Sequence, residues 1–181
     1  MHRQINLLVY PTRASKVNGT RAHWALFIPS STSSTQGTLI QVLGTPFTGY
    51  GLEFKRGYKL DDVKEKFSTF LLGEVEGKHV GEGDGEGTDI QARDEVEREA
   101  KKVEVPGVSR EPLNPDVVSL QVLLFRLYFK GVCAGADTCV KGRRCQEWTR
   151  ELVQRLVGRD ILPESALLVL DEAKRLETVG V

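Results

Sequence analysis

Two side chains in this sequence have the type and setting for chemistry: His23 and Cys145. The chain contains three histidines, of which His2 lies at the N-terminus and His79 in an acidic, glycine-rich stretch. His23 sits between Ala22 and Trp24 in a run that reads as a strand, and period-two alternation puts it on one face with Ala25 and Phe27. An imidazole among small and aromatic neighbours is either a core-edge histidine with a satisfied hydrogen bond or a base held in readiness. Cys145 opens the clearest amphipathic pattern in the chain, where free N–H groups and the helix dipole favour a thiolate, and Arg143 and Arg144 precede it. Its plainer reading is a small buried hydrophobe. A strand histidine facing a cysteine at a helix start forms a thiolate–imidazolium nucleophile, with the helix-start N–H groups as oxyanion donors.

Other chemistries are poorly served. Cys133, Cys139 and Cys145 recur every six residues, whereas structural zinc sites pair their ligands more closely and need four, so no metal is expected. The GEGDGEG run is too acidic to cradle phosphate and lacks a following Lys-Ser/Thr pair. No cofactor is expected. The segment PFTGYGLEF brings Phe47, Tyr50 and Phe54 together as a turn and strand over the core, or as one wall of an apolar pocket beside His23. With Trp24, Gln146 and Trp148 these form the candidate substrate pocket.

The elements that would position these groups divide the chain in three. Residues 5–10, 22–28, 38–43, 51–58 and 67–75 are rich in strand formers and bounded by Pro, Gly and Ser, which predicts an antiparallel meander of five short strands. Around 76–88 acidic residues alternate with glycines, predicting a mobile loop that suits a lid. Residues 89–102 carry a thin apolar stripe of Ile90, Val96 and Ala100, predicting a charged helix that is solvated or ordered by a neighbour. Residues 115–129 fit a buried helix or a strand equally. Cys145, Trp148, Leu152 and Leu156 define a helix over 145–157 that leaves Gln146, Glu147 and Arg150 outward. A last helix over 164–176, behind Pro163, is expected to bury Leu167, Leu168 and Leu170.

Composition bounds the function. The chain has 181 residues, 40% of them hydrophobic, enough for one domain with its own core. Twenty-five Lys and Arg balance 25 Asp and Glu, so bulk charge draws neither nucleic acid nor an anionic membrane, and an apolar small molecule is the expected partner. No apolar run approaches the length that spans a bilayer, and no export leader is legible, so no membrane span is expected. An odd number of cysteines reads as reduced thiols in the cytoplasm.

The order AHWALFIP, GTLIQVLG and then RRCQEWTRELVQRLV resembles the circularly permuted papain-like superfamily, which includes the lecithin:retinol acyltransferase group and the PPPDE isopeptidases. HWA.F, GTPFTGYGLEFKR and CQ.W are similar to motifs of a group of small fungal proteins. The resemblance implies an α+β fold, a β-meander packed on C-terminal helices, with His23 as base and Cys145 as nucleophile. Gln41 stands where the acyltransferases carry a second histidine, and there it accepts a hydrogen bond from the imidazole without supplying charge. The implied activity is a thiol hydrolase or acyltransferase on an ester, thioester or amide. Two alternatives use the same fold: a cofactor-independent cyclase or isomerase of fungal secondary metabolism, such as a Diels–Alder-type pericyclase, and a protein-binding module docking through the helix at 89–102.

Overall fold

A computed structural model of the chain describes residues 2–11, 21–82, 85–108 and 143–179. The ambiguous 115–129 segment and Cys133 and Cys139 lie outside the described residues. The fold is α+β, a six-stranded antiparallel sheet with three α-helices among the described residues.

The five expected strands are present as β1 (His2–Tyr10), β2 (His23–Pro29), β3 (Gln36–Thr45), β4 (Gly49–Lys59) and β5 (Ser68–Glu76). A sixth strand, β6 (Gly87–Asp89), arises in the glycine-rich stretch. The sheet order is β5-β1-β2-β3-β4-β6, so the meander holds only for the first four strands. After β4 the chain crosses one face of the sheet, where Leu60, Val63 and Phe67 pack against Leu8, Tyr10, Ala25, Phe27 and Leu39. It then adds β5 antiparallel to β1 at the far edge. Burying that apolar segment outweighs the short return a fifth meander strand would need.

The other face carries the helices: α1 (Glu95–Lys102), α2 (Cys145–Gly158) and α3 (Ser165–Val179). Their apolar residues close over Leu7, Trp24, Leu26, Ile40, Val42 and Phe54. The 89–102 helix starts late because Asp94 caps it, its Oδ1 accepting the Glu97 N–H at 2.8 Å, while residues 87–89 join the sheet. That helix is not solvated. Glu97 and Glu99 are buried, and cations from other elements meet them: Arg56 reaches Glu97 and Arg155 bonds Glu99, which Lys102 of the same helix also bonds. In α3, Ala166, Leu170 and Ala173 are buried and Leu168 is 71% exposed, the reverse of the expectation for Leu168. Gly73 lets the start of α3 lie against β5, since a Cβ there would come within 2.6 Å of Pro163. In the glycine-rich stretch, Gly77–His79 form a 3-10 turn, and the Gly81 N–H donates to Asp94 Oδ2 at 2.8 Å. Among the described residues no helix is long and apolar enough to cross a membrane.

Candidate active site

The sheet itself builds the site. His23 begins β2 directly across from Tyr10 of β1, the two rings 5.9 Å apart. Cross-strand partners share a face, so His23 projects with Ala25 and Phe27 onto the face away from the helices. On β3, Gln41 lies opposite Glu53 of β4. Gln41 Oε1 is 2.8 Å from His23 Nε2, and Gln41 Nε2 donates to Glu53 Oε1 at 2.7 Å. The carboxylate accepts only, which turns the Gln41 amide so that its oxygen faces the imidazole. His23 must then carry its proton on Nε2. Burial lowers the His23 pKa below its ordinary value, with the Gln41 hydrogen bond and the Glu53 charge opposing it. The imidazole is therefore neutral at pH 7 with a lone pair on Nδ1, for which the described residues supply no hydrogen-bond partner.

The surroundings are aromatic. Tyr10 also stacks against Phe67 at 5.6 Å, and its hydroxyl lies 3.2 Å from that of Tyr58. Lys55 Nζ stands 3.7 Å from Glu53 Oε1 and 5.9 Å above the Tyr58 ring. Lys55 and Tyr58 are shared with an open cleft of about 510 Å³ whose lining also includes Gly57, Lys59, Val63 and Thr88. The relay and the cleft thus adjoin through two side chains.

Cys145 is on the other side of the sheet. It packs against the helix-face core with Trp24, the residue after His23. The expected Cys145–His23 pair is not assembled, because alternation sends neighbouring residues of β2 to opposite faces. Nor is the thiol activated. Burial is the largest influence and raises its pKa, Glu147 adds to the rise, and the N–H groups of Trp24 and Gln146 and the charge of Arg21 oppose it. Of the two arginines expected to favour a thiolate, Arg143 is otherwise engaged through its side chain and Arg144 caps the helix through its backbone. Arg143 bonds Glu151 and the Glu104 carbonyl, and the Arg144 N–H donates to Glu147 Oε2 at 2.9 Å as half of a capping box.

The candidate pocket residues separate in the same way. Trp24, Phe54 and Trp148 are sealed in the core, at 1% exposure or less. Gln146, expected to point outward, is buried and donates to the Ala22 carbonyl at 2.7 Å and to Glu177, which also accepts from the Trp24 indole. Tyr50 is half-buried on the Cys145 side, where burial above all pushes its phenol up to about 12. Phe47 lies half-buried in the β3–β4 turn, its N–H donating to Thr45 Oγ1. Of the three catalytic candidates, His23 and Gln41 are hydrogen-bonded to each other, and Cys145 lies with the pocket candidates Trp24, Tyr50, Phe54 and Trp148 in the helix-face core. Glu53, Tyr10, Lys55 and Tyr58 complete the group around His23; the one sequence signal for Glu53 was a polar residue alternating with Leu52 and Phe54 in a strand.

The class these observations define is an α+β protein whose sheet carries a partly buried histidine–amide–carboxylate relay on the face opposite α1, α2 and α3. By sequence, the chain belongs to the family described as "Family of unknown function (DUF6540)", which it matches over residues 9–163. That span includes the whole relay and Cys145 and stops before α3. No curated protein matches the chain, and no solved structure does.

Proposed function

We propose that this protein is an enzyme that moves a proton on a small-molecule substrate, with His23 as the base and no covalent intermediate, in the manner of a cofactor-independent isomerase or cyclase. The observation that carries this reading is the relay: Gln41 and Glu53 hold His23 as the Nε2–H tautomer, leaving Nδ1 as a proton acceptor. A neutral imidazole at pH 7 begins the cycle ready to accept, and the imidazolium it becomes is stabilised by the Gln41 oxygen and the nearby Glu53 charge. The carboxylate acts through the amide, so it orients the base without taking the proton.

The opposite-face arrangement of His23 and Cys145 and the raised thiol pKa favour this reading over the thiolate chemistry of the permuted papain-like enzymes. The protein-binding alternative finds less support, since Glu95, Glu97 and Glu99 of α1 all bond within the chain. The test is solvent exchange. Small ketones and organic acids incubated with the protein in deuterium oxide should show carbon-bound deuterium by NMR, lost in His23→Gln and kept in Cys145→Ala. Loss of exchange in Cys145→Ala with retention in His23→Gln would overturn the proposal.

A further inference from the structure

The cleft beside the relay is built around an irregularity in β4. In the β3–β4 ladder Leu39 pairs with Lys55 but Gly37 pairs with Tyr58, so three steps along β4 answer two along β3. The extra residue is accommodated at Gly57, whose φ of 61° is left-handed and whose place a Cβ would contest, lying 2.9 Å from the Gly85 carbonyl oxygen. Without this bulge Lys55 and Tyr58 would project from opposite faces. With it, both stand on the face of His23 and both line the cleft.

The two hydroxyls then fix a direction. Tyr10 is 7% exposed and its hydroxyl has Tyr58 as its hydrogen-bond partner. Only one proton occupies the line between the oxygens. If Tyr58 supplied it, the buried Tyr10 proton would have no acceptor, so Tyr10 donates and the Tyr58 proton is left for the cleft. Lys55 adds an ammonium at the same place, 3.7 Å from Glu53 Oε1, an ion pair too long to occupy its hydrogen-bond donors.

We propose that Tyr58 and Lys55 form a subsite for the carboxylate of a small organic acid, which would be the substrate class of the His23 site. Toward the cleft both groups donate, the Tyr58 oxygen already accepting from Tyr10, which suits an oxygen anion. The cleft lining sets Lys55 and Lys59 against Asp62 and Glu86, while Arg56 is paired with Glu97 and Asp89, a near balance that suits a single negative charge rather than a polyanion. Val63 supplies an apolar wall, so the fitting ligand has one carboxylate on an apolar body. Calling that acid a substrate rests on the proton-transfer reading; its binding to Lys55 and Tyr58 does not.

Benzoate and its uncharged isostere benzamide are the probes, titrated into the full chain and tracked by calorimetry and by the NMR signals of Lys55, Tyr58 and Thr88. Benzoate should bind more tightly than benzamide by about ten-fold, the difference a charged hydrogen-bond acceptor makes. Lys55→Met, which leaves the tyrosine pair intact, should erase most of that preference, and Tyr58→Phe should weaken benzoate by a similar factor. Equal binding of the two probes, no binding of either, or an undiminished preference in Lys55→Met would overturn the subsite. His23→Gln should bind benzoate as the parent does, so failure here leaves the base chemistry standing and is distinguishable from its failure.

Discussion

Replacing Gln41 by leucine removes the centre of the relay while nearly preserving volume. Gln41 is 4% exposed and makes two side-chain hydrogen bonds, one to His23 and one to Glu53. The leucine cannot accept from the imidazole, so His23 Nε2–H is left without a partner in a half-buried setting, which costs about 1–2 kcal/mol. The Glu53 side chain is 21% exposed and keeps Lys55, so water replaces the lost amide and the second bond costs about 0.5–1 kcal/mol. Together the loss is about 1.5–3 kcal/mol, which for a domain of this size lowers Tm by about 3–12 °C. The Gln41 hydrogen bond favours the protonated imidazole, so its removal should also lower the His23 pKa further. Calorimetric melting and an NMR titration of His23 read the two effects separately. A Tm within a degree of the parent, together with an unchanged His23 titration, would refute the idea that Gln41 holds the imidazole.

The same geometry has other measurable consequences. Arg56 and Glu97 form an ion pair with side chains 2% and 1% exposed, so Glu97→Gln should cost about 3–5 kcal/mol in urea denaturation. Arg56→Met combined with Glu97→Leu should cost less than either single change if desolvation of the orphaned charge is the cause. Cys145 should alkylate more slowly than a free thiol at pH 7 and gain reactivity only at a pH above that at which ordinary thiols do; fast labelling at neutral pH would contradict its burial. The folded-state pKa of His23 lies below 6.5, so the folded chain resists a proton that the unfolded chain accepts. Stability from this group is present above about pH 6.5 and lost as pH falls toward the folded value, each unit of depression being worth about 1.4 kcal/mol. His23→Asn should flatten that part of the acid-stability profile, and an unchanged slope would argue against a depressed pKa.

The sequence carried the elements well and the faces poorly. Strands β1 to β5 and helix α2 arise from apolar runs and a 3.6-residue period, signals local to each segment. Alternation also put His23 with Ala25 and Phe27, and that is how they stand. It could not say which face the helices would cover. The clue lay in the neighbours: Trp24, Leu26 and Ile28 offer α2 a larger apolar surface than Ala25 and Phe27 with a histidine, and the larger surface took the helix. With the helix on that face, Cys145 packs beside Trp24 and no hydrogen bond joins it to His23. Glu53 was out of reach because its partnership with Gln41 depends on the β3–β4 register, which the turn at 45–49 sets. The crossing of β5 to β1 was hidden for a similar reason, since it depends on where residues 60–67 bury their side chains rather than on strand propensity. The arginines before Cys145 were visible, but the Arg143 partners Glu151 and Glu104 were not.

The central claim is that His23 acts from a neutral, Gln41-held tautomer and independently of Cys145. Nitrogen-15 NMR of the His23 ring across pH, in the parent and in Cys145→Ala, measures this directly. The account expects the Nε2–H form at neutral pH, a titration midpoint below 6.5 and the same curve in both proteins. A midpoint above 6.5 that shifts when the Cys145 sulfur is removed would mean a thiolate–imidazolium pair, and would contradict it.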